Sequence, residues 1–304
     1  MGRAIYQASP AAREVFDAAD QALGFSLSRI CFEGPEDELL RTELQQPAIL
    51  TTSIALLRAL EEKTKVTPNY VAGHSLGEYT ALVASGALDF EDAVRLVNAR
   101  GRFMQEAVPE GRGAMAAVLG LSPDEVGLAC KAAAAATGRI VTPANYNSPQ
   151  QTVIAGDSAA IEAACSRARQ EGAKRTIPLA VSAPFHCDLM APAAEKLALE
   201  LARVQFRESA VPVVTNVEAA PNCDPTRVAA LLEAQVTAPV RFVEMVEKLA
   251  ELGVTRVLEV GTGRVLSGLV ARTARKLQRA CLSTLGELAD AASFVSLAPG
   301  VDSN

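Results

Sequence analysis

The chain has 304 residues, of which 49% are apolar and 21% charged, with a formal net charge of −6. That is apolar material for one large domain or two unequal ones, and a mildly acidic chain with no long basic run excludes a nucleic-acid surface. No signal peptide or membrane-spanning stretch is present, and six scattered cysteines (Cys31, Cys130, Cys165, Cys187, Cys223, Cys281) beside only two histidines argue against zinc and for free, buried thiols in a reducing cytoplasm.

In chain order, residues 9–23 read as an amphipathic helix, with Ser9 as its cap and Pro10 in first position. A second helix covers 46–63 and is begun by Pro47. Residues 69–72 form an apolar strand, and then comes Gly73-His74-Ser75-Leu76-Gly77-Glu78-Tyr79. Gly-x-Ser-x-Gly between a strand and a helix (here 76–88) is the pattern of a nucleophile elbow, a strained turn that exposes a serine. A further helix over 90–108 ends at Pro109 and the turn Gly111-Arg112-Gly113.

The texture then changes. A small apolar strand covers 114–119. Ser122, with Glu125 three residues on, opens a helix through 136 as a capping box. Strands over 141–146 and 152–155 flank the turn Asn147-Ser148-Pro149-Gln150. Asp157 or Ser158 caps a helix to about 172, and a last strand covers 175–181. This βαββαβ order is the ferredoxin-like pattern. Alternating helices and strands resume with 192–204 (helix), 212–216 (strand), 225–235 and 242–252 (helices), 256–260 (strand) and a helix from 265. The expected fold is therefore α/β, with a mainly parallel sheet in a large domain (1–112 and 184–304) and an inserted small domain (113–183).

Ser75 is the candidate nucleophile and needs a base. His74, adjacent in sequence, diverges from it, which leaves His186 in Ser182-Ala183-Pro184-Phe185-His186. The N–H of Leu76, at the start of the helix, is the candidate oxyanion donor. Glu78, in the first turn of that helix, reads as an acid that favours the helix dipole. No acid suitable as the third member of a triad is found. Spacing alone makes Arg100 a solvated surface arginine, with Arg102 on another face. Gly261-Thr262-Gly263-Arg264 reads equally as a phosphate cradle or a tight turn.

Six segments in this order, at 73–79, 100–105, 145–149, 182–186, 235–240 and 259–263, together resemble the malonyl-CoA:acyl carrier protein transacylases of bacterial fatty-acid synthesis, whose plan the acyltransferase domains of polyketide synthases share. The resemblance covers nearly the whole chain. It implies a hydrolase-like large domain with a ferredoxin-like insertion, and a Ser75–His186 dyad whose histidine is oriented by the main-chain carbonyl of Gln235. It turns Arg100 into the group that binds the substrate carboxylate. It places Phe185 and Met104 in the acyl pocket and Asn145 as a contact for CoA or the carrier protein. The implied reaction is a ping-pong malonyl transfer from malonyl-CoA to acyl carrier protein, by a cytoplasmic monomer without metal, cofactor, nucleic-acid or membrane partner.

A discrete acyltransferase serving a polyketide synthase, a serine esterase or thioesterase, and a catalytically inactive carrier-binding protein are the rival readings. Family members also begin with an apolar strand and a Gly-Gln-Gly-x-Gln loop that gives a second oxyanion donor. The chain begins at the position after that loop, so a truncated or mis-started, unstable and poorly active form is expected.

Overall fold

The computed structural model describes residues 1–109, 111–181 and 183–296. Ser182 of the histidine segment lies outside them. The chain opens with α1 (Arg3–Ala8), α2 (Pro10–Leu23), α3 (Leu27–Glu33), α4 (Glu36–Leu40) and α5 (Thr42–Glu61). Ser9 caps α2 by accepting from Ala12 N–H at 3.0 Å. Then come β1 (Val71–Ala72), α6 (Leu76–Ala84), α7 (Phe90–Glu106), β2 (Gly113–Leu119), α8 (Pro123–Thr137), β3 (Val141–Ser148), β4 (Gln151–Asp157), α9 (Ser158–Gln170) and β5 (Arg175–Pro178). The chain continues through α10 (Ala191–Leu201), β6 (Val213–Val214), β7 (Pro221–Asn222), α11 (Pro225–Thr237), α12 (Phe242–Glu251), β8 (Arg256–Val260), α13 (Val265–Thr273), β9 (Gln278–Leu282) and α14 (Leu288–Ser296).

The fold is α/β with mixed sheets. β1 pairs in parallel with β6, which pairs antiparallel with β7, and β8 pairs in parallel with β9. The remaining four strands form one antiparallel sheet in the order β3-β4-β2-β5, with α8 and α9 as the connections between its strands. Successive residues of a strand face opposite sides, and β2 uses both faces. Ala116 and Val118 pack with Val126, Cys130, Ile154 and Ile161 in a core shared with α8 and α9. Met115 and Ala117, with Val153 and Ala155 of β4, join the larger core that holds α2, α5, α6, α7 and α10. The antiparallel sheet is thus sandwiched between its own helices and the rest of the molecule.

Several elements differ from their expected bounds. Pro47 lies inside α5, which starts at Thr42 rather than at the proline. A proline removes one helical donor and strands the carbonyl four residues back. Here that carbonyl, on Glu43, accepts from the side-chain amide of Asn98 at 2.8 Å. α6 stops at Ala84, where Gly86 takes φ 78° and Ala87 N–H returns to Leu82 O. β1, β5 and β6 are shorter than expected, and α1, α3, α4, β7, β9 and α14 are additional. No described helix is long and apolar enough to cross a membrane. Of the free cysteines, Cys223 is exposed rather than buried.

Candidate active site

The parallel pairing of β1 with β6 sets the register of the site. Ala72 stands beside Val214, so the turn after β1 lies against Asn216, just past β6. A side chain on Gly73 would place its Cβ 2.0 Å from the Gly77 carbonyl carbon, so this crossing requires glycine. Ser75 takes φ 50° and ψ −104°, a conformation that costs about 1–3 kcal/mol. Asn216 holds it in place, accepting from Ser75 N–H at 2.6 Å and donating to Gly73 O at 2.7 Å. Leu76 is the first residue of α6, where the backbone N–H has no intrahelical acceptor.

His186, also at positive φ (60°), places Nε2 2.8 Å from Ser75 Oγ. Its Nδ1 lies 2.8 Å from the carbonyl oxygen of Gln235. A carbonyl can only accept, so Nδ1 carries the proton and Nε2 presents its lone pair to the serine hydroxyl. Gln235 sits in the last turn of α11, and Pro239, four residues on, has no N–H to offer that carbonyl. Burial first, then the charge of Arg100, pushes the imidazole down to about 3. It is neutral at physiological pH.

Arg100 reaches the serine from α7. Gly101 allows this, because a Cβ there would lie 2.5 Å from Thr42 O of α5. The close approach brings Gln46 of α5 within reach, and Arg100 Nη1 donates to Gln46 Oε1 at 2.7 Å. Nη2 donates to Ser75 Oγ at 2.9 Å and to Gln235 Oε1 at 3.0 Å. Arg100 is 2% exposed, not a solvated surface residue. Gln235 Nε2 in turn donates to Ser75 O at 3.1 Å and to Glu78 Oε2 at 2.8 Å. Glu78 does lie in the first turn of α6, but it is 2% exposed and accepts from Asn216 N–H at 3.0 Å, so it also belongs to this buried network.

The other expected site residues fall at different distances from this centre. Met104, buried on α7 one turn after Arg100, has its sulfur 4.0 Å from Gln46 Nε2. Phe185 is half-buried against the main core, immediately before His186. Asn145 is buried within β3, its backbone bridged to Val240, rather than on an open surface. Two residues on, Asn147 Oδ1 meets His74 Nε2 at 2.8 Å and ties the antiparallel sheet to the elbow. Arg102 lies outside the cluster, over the ring of Phe103. At Gly261–Gly263 the helix donors that a phosphate would use, Leu266 N–H and Ser267 N–H, already bond to Glu259, which leaves the tight-turn reading.

Sequence reasoning missed Asn216, Gln46, Asn147 and the side-chain role of Gln235. Only Asn216 carried a signal, as a polar residue just beyond an apolar strand, where sites of α/β sheets gather. Among the described residues, no group of His, Cys, Asp or Glu is arranged to hold a metal ion.

The arrangement is a serine–histidine pair under a buried guanidinium, suited to acyl transfer from a substrate with a free carboxylate. A family model described as "Acyl transferase domain" matches residues 1–298. The chain is 47% identical over 282 residues to the malonyl CoA-acyl carrier protein transacylase of Escherichia coli O157:H7, covering 93% of this chain and 91% of that protein. The transacylase structure from Coxiella burnetii superposes with a TM-score of 0.94 at 39% identity, over 98% of this chain and 93% of that one. A malonyl-transacylase solved with a type II PKS acyl-carrier protein gives a TM-score of 0.93 at 44% identity, over 96% and 94%.

Proposed function

We propose that this chain, which belongs to the acyl transferase family, moves a malonyl group from malonyl-CoA to the phosphopantetheine thiol of an acyl carrier protein through a malonyl-Ser75 ester. The observation that carries the reading is the Arg100 guanidinium, buried 2.9 Å from Ser75 Oγ and free of any direct ion pair among the described residues. Neutral acyl groups give no use for such a cation, whereas a malonyl carboxylate does.

In this reading His186 Nε2 takes the hydroxyl proton as Ser75 Oγ attacks the thioester carbonyl. The Leu76 N–H stabilises the oxyanion. Arg100 has turned from the serine oxygen to the malonyl carboxylate as the substrate binds, and the tetrahedral intermediate expels the CoA sulfur, which leaves with the proton from His186. The carrier thiol then gives its proton to His186, attacks the ester carbonyl, and releases Ser75 as the hydroxyl. The Gln235 carbonyl orients His186 throughout, which accounts for a base without an acidic third partner. Phe185 and Met104 bound the acyl group, Phe185 beside the base. Asn145, buried within β3, serves the carrier or CoA contact through the strand it stabilises.

The fold reading follows the same line. The strand order β3-β4-β2-β5 with two crossing helices supports a ferredoxin-like small domain over 113–183, inserted in a hydrolase-like large domain. No metal or cofactor takes part, and the protein acts as a monomer in the cytoplasm.

The test is intact-mass measurement after mixing with malonyl-CoA and then with holo carrier protein. A malonyl adduct on Ser75 that passes to the carrier is the expected result, and Ser75→Ala should give none. Free malonate without carrier product would identify a hydrolase instead, and an adduct on another residue would refute the serine assignment.

A further inference from the structure

Arg100 is a buried cation whose contacts are neutral: Ser75 Oγ, the amide oxygens of Gln46 and Gln235, and the ring of Tyr79 with its centroid 5.6 Å away. An ionised group in a dry site without a counter-charge is costly. Two acidic groups of α6 act on it, Tyr79 and Glu78; the Tyr79 phenol, held at about 12 by burial, stays neutral, which leaves Glu78 as the carboxylate. Between Arg100 and Glu78 stands the Gln235 amide, its oxygen on the one and its NH₂ on the other. One end of an amide only accepts and the other only donates. An ionised Glu78 therefore selects the orientation that faces oxygen to the guanidinium. Asn216 N–H and Gln235 Nε2 both donate to Glu78 Oε2, as a carboxylate requires.

We propose that Glu78 is a positioning residue: relayed through Gln235, it supplies the counter-charge of Arg100 in the empty site, and it takes up a proton when the substrate carboxylate reaches the guanidinium. The proposal rests on the malonyl-transfer reading above. Two carboxylates sharing one cation in a desolvated site do not both stay ionised. The substrate carboxylate meets Arg100 directly, whereas Glu78 acts through an amide, so Glu78 is the one that yields.

The surroundings leave Glu78 free to do so near neutrality. Burial raises its carboxyl to about 7, against the opposing pull of Asn216, Gln235 and Arg100. The other titratable groups facing the site do not change charge there. Burial holds Tyr79 at about 12 and pushes both His74 and His186 down, the latter to about 3. A protonated Glu78 leaves the whole charge of Arg100 to the substrate. Malonyl binding is therefore tightest below the empty-site value and weakens as pH rises through it toward the higher value of the loaded site.

The test is the malonyl-CoA concentration that half-saturates formation of malonyl-serine, read by intact mass at about pH 6 and about pH 8.5. In the unaltered protein it should rise about fivefold or more between the two, the scale of a typical coupling. Glu78→Gln keeps an acceptor for both donors and removes the charge, so its half-saturation should stay low and flat. A flat profile in the unaltered protein, or the same rise in Glu78→Gln, overturns the proposal while the adduct itself leaves the transfer reading intact. Failure of the unaltered protein to form malonyl-serine overturns both. Should Glu78→Gln not fold, the unaltered protein still decides: the serine proton leaves on the CoA thiol, so malonylation near neutral pH is otherwise proton-neutral and should show a net proton uptake from solution, and no uptake refutes the proposal.

Discussion

The Nδ1 of His186 lies 2.8 Å from the carbonyl oxygen of Gln235, a helix carbonyl that Pro239 cannot serve. A neutral carbonyl fixes the tautomer as a carboxylate would, but gives the imidazolium no full negative charge to rest against. Burial and then the charge of Arg100 outweigh the upward pull of that carbonyl and keep His186 deprotonated far below the ordinary histidine range.

The pH dependence of the chemical step follows from that. At saturating malonyl-CoA, single-turnover acylation of Ser75 should hold its plateau as pH falls through 6.5, the ordinary histidine value. The loss should come only in the acid range, toward about 3, where the free imidazole accepts its proton. A limb centred near the ordinary value, in stopped experiments across that range, would show that the base is far better solvated than this geometry allows.

Folding stability carries the same signature. The folded-state value of His186 is depressed, so its contribution is fully present above the unfolded value and is lost as pH falls toward the folded one. Glu78 has the opposite sign. Its folded value is raised to about 7, so its contribution is present below the ordinary carboxyl range and is lost as pH rises through 7. Thermal midpoints should therefore fall on the acid side in both the unaltered protein and Glu78→Gln. Glu78→Gln should lack the component lost between the ordinary glutamate value and 7, and identical curves would contradict the buried, shifted carboxyl.

Arg100→Ala should cost malonyl-CoA far more than a thioester without a carboxylate. Loss of a charge-assisted contact is worth about 1.5–3 kcal/mol, or about tenfold to over a hundredfold in apparent affinity. Arg100→Lys should recover little, because one ammonium cannot span Gln46, Gln235 and the substrate as the fork does. Equal losses for malonyl and acetyl thioesters, measured by initial rates, would remove the carboxylate role.

Phe185 precedes His186 and packs half-buried against the main core, and in the proposed reading its phenyl ring bounds the acyl group. An α-methyl on the substrate then has little room. Phe185→Ser should raise turnover of methylmalonyl-CoA relative to malonyl-CoA. Comparable use of both thioesters by the unaltered protein would sink this assignment.

What could be read in the sequence was what local chemistry dictates. The elbow needs glycine at 73 whatever surrounds it, and a chain with two histidines leaves one base for Ser75. The capping box at Ser122 and Glu125 forms as its spacing demands. What escaped depends on approach between distant segments. Gln46 and Arg100 meet only because Gly101 lets α7 close on α5, and Glu78 becomes a buried partner of Gln235 only once α11 crosses α6. Helical spacing cannot distinguish a solvated Arg100 from a buried one, since the side chains that surround it come from three other segments. The same blindness misplaced the start of α5.

That start supplies the last prediction. Pro47 was expected to begin a helix because it lacks the N–H that an interior position needs, yet α5 runs through it. The cost is contained because Asn98, on α7, donates to the orphaned Glu43 carbonyl at 2.8 Å. Asn98→Ala should therefore lower stability by about 1–2 kcal/mol through loss of this bond, a fall of a few degrees in the thermal midpoint. Pro47→Ala restores an N–H that can close the ordinary helical bond to Glu43 O. With that bond available, the same Asn98→Ala change should cost clearly less. The two substitutions are thus expected to be non-additive, with a coupling of about 0.5–1 kcal/mol in a double-mutant cycle. Strict additivity of the two thermal shifts would mean that Asn98 does not serve the carbonyl that the proline leaves open.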